Sequence, residues 1–260
     1  VLQKDGSYLN LSGNQIGAIM AKYILEAHKN AGTLPENAAL CKSIVSTDLV
    51  TKIAESYGAT MFNVLTGFKF IAEKIQEFEE KHNHTYMMGF EESFGYLIKP
   101  FVRDKDAIQA VLVVAELAAY YRSRGLTLAD GIEEIYKEYG YYAEKTISVT
   151  LSGVDGAEQI KAIMAKFRNN APKEWNATAI TVVEDFKART STAADGTVTA
   201  LTTPPSDVLK YTLADGSWIA VRPSGTEPKI KFYIAVVGES NEDSQAKIAN
   251  IEAEINAFVK

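Results

Sequence analysis

Two different patterns of apolar and polar residues divide the chain. Over residues 1–140, short apolar runs alternate with longer segments whose apolar positions recur every three or four residues. Short apolar runs are typical of buried strands, and the three-to-four spacing is typical of amphipathic helices. Strands that alternate with helices form mostly parallel sheets. The first half therefore predicts an α/β domain with a mixed, mostly parallel sheet and flanking helices.

The helices of this half can be placed from their flanking residues. "LSGNQIGAIMAKYILEAHKN" has one apolar face, and either Ser12 or Asn14 is expected to cap its N-terminus. "TDLVTKIAESYG" is expected to begin at a Thr47 cap and to end at Gly58. "AIQAVLVVAELAAYYRSRG" is strongly apolar, so we expect it to be buried against the sheet.

Residues 141–260 predict a smaller α+β domain with an antiparallel sheet covered by helices. Asp215-Gly216 lies between two runs rich in Tyr, Trp, Val and Ile, which indicates a β-hairpin. "KIKFYIAVVG" reads as another strand, and the chain ends in an amphipathic helix. The polar segment "RTSTAADGTVTALTTPPS" is expected to be an exposed loop. We therefore expect two domains, 1–140 and 141–260.

Composition and charge exclude some classes of partner. The 260 residues carry a net charge of −6, which disfavours nonspecific binding to nucleic acid or to a membrane surface. No apolar run reaches the roughly 20 residues of a membrane span. Cys41 is the single cysteine, so no intrachain disulfide can form and a cytoplasmic location is expected. Its apolar neighbours favour a core residue over a reactive thiol.

The stretch "AVRPSGTEPKIKFYIAV" places a short polar loop between two apolar runs. Arg222 could bind a phosphate through two hydrogen bonds, and the hydroxyls of Ser224 and Thr226 could donate two more. Gly225 would let the backbone approach an anion closely, and Lys229 adds a positive charge. The alternative interpretation is a surface β-turn that happens to be basic.

Three further loops follow predicted strands. In "GFEESFGYL", Glu91 and Ser93 could hydrogen-bond sugar hydroxyls, although a solvated acidic turn is the alternative. In "LTGFKFI", Gly67 precedes a helix whose first turn contains Lys69, an arrangement that suits an anion. "SIVSTDL" is the third such loop. Loops after parallel strands share one sheet edge, so these three are expected to line a single cleft.

Other catalytic patterns are weak in this sequence. His82 and His84 form a His-x-His pair without neighbouring Cys or Asp ligands, so we predict no metal site there. The sequence has no Ser-His-Asp pattern, Walker loop or dinucleotide glycine fingerprint.

The four motifs together resemble the α-D-phosphohexomutase superfamily, which includes the phosphoglucomutases and phosphomannomutases. "RPSGTEPKIKFY" resembles its phosphate-binding loop and "GFEESFGYL" its sugar-specificity loop, while "TGFKFI" and "RDKDAIQA" match in the same order. "LSGNQIGAIMAKYIL" resembles the helix that opens the third domain of that family. The resemblance covers nearly the whole chain and implies that residues 1–140 are domain three and residues 141–260 domain four.

The resemblance also implies roles for individual residues. Sugar hydroxyls would be bound by Glu91 and Ser93, and Lys69 would lie near the ligand. The phosphate remote from the reaction would be bound by Arg222, Ser224, Gly225 and Thr226, with Lys229 as a neighbour. One departure is Phe90, where many members have a glycine before the glutamate.

For the whole protein, the resemblance implies interconversion of hexose 1-phosphate and hexose 6-phosphate through a bisphosphorylated sugar. It also implies Mg²⁺ as the cofactor and glucose 1,6-bisphosphate as the activator or intermediate. The phosphorylated serine and the Mg²⁺ loop of the family belong to two N-terminal domains of the same polypeptide. We therefore expect no catalytic residue and no metal ligand in this chain, and no turnover by it alone. The alternatives are a phosphopentomutase, a non-catalytic sugar-phosphate-binding module and a packing scaffold without a ligand.

Overall fold

Strands and helices alternate through a first unit, Val1–Gly140, whereas strands dominate a second unit, Tyr141–Lys260. The structure is a computed structural model that describes residues 1–151, 155–225 and 227–259. The first unit has a mixed, mostly parallel sheet with helices, and the second has an antiparallel sheet. The fold class predicted from the sequence is confirmed.

The sheet of the first unit brings the ends of three parallel strands to one edge. Its strand order is β2-β1-β3-β4, with β4 antiparallel to β3 and the other pairs parallel. All six residues of β1 are buried, because this strand has a neighbour on each side. The elements of this unit are α1 (Gly13–Asn30), β1 (Ala38–Ser43), α2 (Leu49–Ser56), β2 (Thr60–Val64), α3 (Phe68–Lys81), β3 (Thr85–Glu91), β4 (Gly95–Leu97), α4 (Ala107–Ser123) and α5 (Leu128–Tyr139).

Side-chain caps define where the first helix starts. Ser12 is the N-cap of α1 and forms a capping box with Gln15, so of the two predicted caps Ser12 is confirmed. Asn14 lies inside the helix instead. At α2 the predicted cap was wrong by one residue, because Asp48 holds the N-cap position. Thr47 still contributes, since its Oγ1 accepts a hydrogen bond of 3.2 Å from the Leu49 amide.

Helix α4 is far more exposed than its composition predicts. Ile108, Val111 and Leu112 are 83%, 69% and 68% exposed, so the expectation of a buried helix was wrong for this face. Only Ala110, Leu117 and Tyr121 of this helix are buried. A helix that is apolar all round carries no periodicity, so its sequence cannot show which face packs.

Two substitutions in α4 should differ sharply in their effect on stability. Val111→Gln is expected to change the free energy of unfolding by less than about 0.5 kcal/mol, because the valine is mostly in solvent. Leu117→Ala is expected to cost about 2–5 kcal/mol, because Leu117 is fully buried. Urea denaturation followed by far-UV circular dichroism would measure both, and equal losses would contradict the assignment of the two faces.

The second unit is built around one antiparallel sheet. Its strand order is β5-β12-β11-β10-β7-β8-β9, and β6 pairs with β7. The elements are β5 (Tyr141–Thr150), α6 (Gly156–Asn170), β6 (Glu174–Trp175), β7 (Thr178–Asp185), β8 (Thr190–Ala193), β9 (Val198–Ala200), β10 (Leu209–Leu213), β11 (Trp218–Pro223), β12 (Lys229–Gly238) and α7 (Asn241–Val259). The first and last strands of the unit, β5 and β12, pair along ten residues.

Two Asp-Gly turns shape this sheet. The predicted hairpin at Asp215-Gly216 is confirmed, with Gly216 at φ +83° between β10 and β11. A second turn at Gly196, φ +86°, joins β8 and β9, so the expectation of an exposed loop over residues 189–206 was wrong in part. The β-branched residues on both sides of this second turn outweigh its polar composition.

Aromatic and aliphatic side chains from α6, α7 and one sheet face form the core of the second unit. Phe167 of α6 is fully buried at the centre of this cluster. The strand residues of the cluster alternate in sequence, as expected for one face of a sheet. They include Ile219, Val221, Ile230, Phe232, Ile234 and Val236. Residues between them, such as Arg222 and Lys231, therefore belong to the opposite face.

Candidate functional site

Three loops meet at the edge where β1, β2 and β3 end. The Gly67 amide, between β2 and α3, donates a 2.7 Å hydrogen bond to Oε1 of Glu91 at the end of β3. The Glu92 amide donates a 3.1 Å hydrogen bond to Oγ of Ser46, between β1 and α2. The structure thus brings together the loops that carry the predicted residues Glu91, Ser93 and Lys69.

The predicted loop over Gly89–Leu97 is in fact a tight hairpin. Gly89, Phe90 and Glu91 complete β3, the turn covers residues 92–94, and β4 follows directly. Glu91 is 7% exposed and Ser93 is exposed, so the two predicted sugar ligands differ in their surroundings. Phe94 adopts φ +63° at the end of the turn, which reverses the chain within three residues.

Phe90, the departure from the family pattern, is a core residue. Its side chain is 1% exposed and stacks on Tyr96 with ring centroids 6.5 Å apart. It also lies so close to Gly17 of α1 that a Cβ there would approach the ring within 2.7 Å. Phe90 therefore supports the hairpin from the interior, and Glu91 is the strand residue that reaches the sheet edge.

The N-terminus of α1 packs directly on the turn. A Cβ added at Gly13 would overlap the Glu92 carbonyl oxygen and would lie 3.0 Å from the Phe94 amide nitrogen. The Tyr96 hydroxyl donates a 2.8 Å hydrogen bond to the Gly13 carbonyl oxygen. Burial raises the pKa of the Tyr96 hydroxyl, so this donor keeps its proton at neutral pH. Gly13 is thus required for a close backbone contact that sequence reasoning missed.

Two exposed lysines lie at this edge, and only one was predicted. Lys69 is exposed in the first turn of α3, with its Nζ 4.8 Å from the centre of the Phe70 ring. Lys105 was missed as a site residue, although it lies in the "RDKDAIQA" motif. Its Nζ is 5.2 Å from the centre of the Phe68 ring, and its side chain crosses Gly95 of the hairpin. The motif was therefore the signal that could have identified Lys105.

Lys42, another missed residue, is completely buried at the end of β1. Its Nζ forms a 2.8 Å ion pair with Asp48 and donates a 3.1 Å hydrogen bond to the Ser46 carbonyl oxygen. A buried ammonium is tolerated when such partners compensate for its lost hydration. Lys42 therefore ties the loop after β1 to the strand.

The second unit carries the predicted anion loop between β11 and β12. Arg222 lies directly opposite Lys231 in this antiparallel pair, so both side chains extend from the same face of the sheet. No carboxylate among the described residues forms an ion pair with either cation. Lys231 was missed because its position opposite Arg222 depends on strand register.

Other residues of this loop form a hydrogen bond and an ion pair with each other. The Ser224 amide donates a 2.7 Å hydrogen bond to the Lys229 carbonyl oxygen, which closes the loop. The Lys229 Nζ forms a 3.1 Å ion pair with Glu227, so this predicted phosphate neighbour is partly neutralised. Gly225 is exposed, and a Cβ there would contact no protein atom within 4 Å. Thr226, also predicted, lies outside the described residues.

Two remaining candidates, Cys41 and His84, make packing contacts in the first unit. Cys41 is a buried free thiol whose pKa burial raises to about 12, so the core interpretation holds. His84 packs against the rings of Phe62 and Phe78. The described residues contain no group of three or more His, Cys, Asp or Glu side chains that could hold a metal ion.

Comparison with known proteins identifies the family of this chain. The family model described as phosphoglucomutase/phosphomannomutase, alpha/beta/alpha domain III, matches residues 12–139. The model described as phosphoglucomutase/phosphomannomutase, C-terminal domain, matches residues 154–257. The chain belongs to the phosphoglucomutase/phosphomannomutase family. The first unit therefore carries the family's domain III and the second its C-terminal domain.

Individual relatives agree with this assignment. A phosphoglucomutase of Staphylococcus haemolyticus (strain JCSC1435) is 36% identical over 95% of this chain and 44% of that protein. A phosphoglucomutase of Staphylococcus aureus (strain bovine RF122 / ET3-1) is 37% identical over 94% of this chain and 43% of that protein. This chain thus spans less than half the length of these two relatives.

A solved structure supports the fold. The open form of parafusin, a phosphoglucomutase from Paramecium, aligns over 97% of this chain and 42% of its own with a TM-score of 0.65 and 18% identity.

In the described part of the chain, no helix is both long and apolar enough to pass through a membrane.

Proposed function

We propose that this chain is the sugar-phosphate-binding part of a hexose-phosphate mutase. The observation that carries the proposal is the pair formed by Arg222 and Lys231, two cations directly opposite each other on neighbouring strands. Like charges in this position repel each other. A phosphate dianion would remove the repulsion and accept charge-assisted hydrogen bonds from both side chains. Membership of the family makes the phosphate group of a sugar phosphate the fitting anion.

In this proposal the two units recognise different parts of the substrate. Arg222, Lys231, Ser224 and the backbone around Gly225 and Thr226 bind the phosphate remote from the reaction, with Lys229 as a neighbour. Glu91 and Ser93 bind ring hydroxyls. The Glu91 carboxylate is oriented for this role, because its Oε1 accepts a hydrogen bond from the Gly67 amide. A carboxylate has further lone pairs that can accept from hydroxyl groups. Lys69 adds an exposed positive charge at the same sheet edge.

The proposed reaction interconverts hexose 1-phosphate and hexose 6-phosphate through glucose 1,6-bisphosphate or its equivalent. Phosphoryl transfer depends on positioning and on neutralising charge at the transferring group, and Mg²⁺ commonly supplies part of that neutralisation. The described residues contain no cluster of side chains that fits a metal site, so we assign no metal ligand among them. We propose that the phosphorylated serine and the Mg²⁺ site belong to the part of a longer polypeptide that this chain does not span.

Arg222→Ala tests the anion loop. Isothermal titration calorimetry of the 260-residue chain with glucose 6-phosphate is expected to show an affinity at least about tenfold weaker than for the unmodified chain. Removing a charged hydrogen-bond partner costs about 1.5–3 kcal/mol, which corresponds to this change. Lys187→Ala removes the same charge from an exposed turn of the same unit and should leave the affinity unchanged. Equal affinity for the unmodified chain and Arg222→Ala would refute the assigned role.

The choice among the alternatives needs a second set of measurements. Glucose, mannose and ribose phosphates competing for one site would separate a hexose-phosphate mutase from a phosphopentomutase. A mutase assay of the longer polypeptide with Mg²⁺ and a trace of glucose 1,6-bisphosphate would separate an enzyme from a binding module. A packing scaffold predicts no shift of melting temperature with any of these ligands, because only a ligand that binds the native state stabilises it.

A further inference from the structure

Glu92 lies between Glu91 and Ser93, the two proposed sugar ligands. Both its backbone and its side chain form hydrogen bonds with residues at the end of β1 and in the loop that follows. Its amide donates to Ser46 Oγ at 3.1 Å, and its Oε2 accepts from Ser43 Oγ at 3.2 Å. Ser43 and Ser46 are completely buried, and their hydroxyl oxygens are 2.8 Å apart. Glu92 is therefore part of a polar network beside the turn that the proposed function does not use.

The direction of each hydrogen bond in this network follows from the donors available. A carboxylate oxygen only accepts, so the single hydroxyl proton of Ser43 is committed to Glu92. The hydrogen bond between the two serines must then be donated by Ser46. The result is a closed ring: the Glu92 amide donates to Ser46, Ser46 to Ser43, and Ser43 to the Glu92 carboxylate. Each member of such a ring polarises the next, and any break leaves a buried polar group unpaired.

The ring is anchored on its inner side by Lys42. The buried Lys42 ammonium donates to the Ser46 carbonyl oxygen at 3.1 Å and pairs with Asp48 at 2.8 Å. Ser46 is thus fixed through its carbonyl by Lys42 and through its hydroxyl by the ring. Because this side is rigid, the position of Glu92 is set by the loop after β1 rather than by the turn itself.

The turn needs such an anchor. Ser93 and Phe94 are exposed, and exposed segments with few buried contacts open most readily. We infer that Glu92 is a positioning residue: through Ser43 and Ser46 it fixes the turn so that Glu91 and Ser93 meet a defined set of ring hydroxyls. The ring thereby sets the sugar specificity of the site. This inference rests on the proposed function, in which Glu91 and Ser93 bind the sugar.

A matched pair of substitutions at Glu92 tests the inference. Calorimetry of the 260-residue chain uses glucose 6-phosphate and, separately, inorganic phosphate as probes. Glu92→Ala is expected to weaken the affinity for glucose 6-phosphate about tenfold. Its affinity for inorganic phosphate should stay within about twofold of that of the unmodified chain. Glu92→Gln keeps an oxygen that can accept from Ser43, so it should retain affinity within about twofold for both probes. Ser46→Ala breaks the ring at another point and should behave as Glu92→Ala does.

Three outcomes would overturn the inference. Unchanged glucose 6-phosphate affinity in Glu92→Ala would show that the ring is not needed. Equal weakening in Glu92→Gln and Glu92→Ala would show that the negative charge itself contacts the ligand. Equal weakening for both probes would show that the substitution acts through the fold as a whole.

A separate readout distinguishes this inference from the proposed function. Amide hydrogen exchange at residue 92 reports the order of the turn without any ligand, because this amide donates to Ser46 Oγ. Exchange at least about tenfold faster in Glu92→Ala, but not in Glu92→Gln, is expected if the ring holds the turn. If exchange changes in this way while the unmodified chain binds glucose 6-phosphate no better than inorganic phosphate, then the proposed sugar-binding function fails, whereas the ordering of the turn by the ring stands. Unchanged exchange in Glu92→Ala would overturn the ring whatever the ligand results.

Discussion

Phe167→Ala is expected to lower the free energy of unfolding of the second unit by about 3–5 kcal/mol. Phe167 is fully buried and touches four other aromatic rings. The ring centroids are 6.2 Å away for Trp175, 6.3 Å for Tyr211, 5.7 Å for Phe232 and 4.8 Å for Phe258. Alanine would leave a cavity that these rigid rings cannot refill, and it would also remove favourable aromatic pairs.

Tryptophan fluorescence during urea denaturation would measure this loss. The chain has two tryptophans, Trp175 and Trp218, and both belong to the second unit, so the signal reports on that unit alone. Val198→Ala removes apolar atoms from an exposed position in the same unit and should change stability by less than about 0.5 kcal/mol. A loss below about 1.5 kcal/mol for Phe167→Ala would contradict the assignment of Phe167 as the centre of the core.

Gly13→Ala is expected to destabilise the first unit by about 2 kcal/mol and to remove its sugar recognition. The added methyl would overlap the Glu92 carbonyl oxygen and would crowd the Phe94 amide, and both are backbone atoms that cannot rotate away. Overpacking of this kind costs about 3 kcal/mol. The better helix propensity of alanine offsets about 1 kcal/mol at most. The clash therefore outweighs the gain, and the turn must move.

Circular dichroism during denaturation, together with calorimetry with glucose 6-phosphate, would check both parts of this prediction. Ser12→Ala is the matched control, because it removes the capping box of the same helix without filling the contact with the turn. It should cost about 1 kcal/mol and leave ligand affinity unchanged. Normal affinity in Gly13→Ala would show that the position of the turn does not matter for binding.

Much of the fold was predictable because its signals are local. Helices α1 and α3 show clear apolar periodicity, and the Asp215-Gly216 turn has its own residue signature. The buried face of helix α4 could not be predicted, because apolar residues occur on all sides of this helix. The strands β8 and β9 were missed because polar composition was given more weight than the Asp-Gly turn between β-branched residues.

The site was predictable only where its residues lie in short motifs. Glu91, Ser93, Lys69 and the Arg222 loop were selected this way, and their ligand-binding roles stay predictions. Lys231 was missed because its approach to Arg222 follows from strand pairing. Gly13 was missed for a similar reason, since its contact with Glu92 joins two segments far apart in sequence. Such contacts depend on the tertiary structure and have no local sequence pattern.

The pairing of β5 with β12 also determines when the second unit can form during synthesis. Strand β5 is at one end of the sheet, so its hydrogen-bonded neighbour is β12, which begins 88 residues after β5 begins. At ribosomal rates this interval lasts on the order of 5–20 s. During that time β5 has no strand partner, and non-local pairing of this kind is slow to form.

The anion loop is completed in the same late step. Arg222 is translated before its cross-strand neighbour Lys231, and the two come together only when β12 pairs with β11. A nascent chain that stops before residue 229 would therefore lack both the edge pairing of β5 and the paired cations. We expect ribosome-bound chains to gain affinity for phosphate abruptly, once β12 has left the exit tunnel, rather than gradually as the unit lengthens.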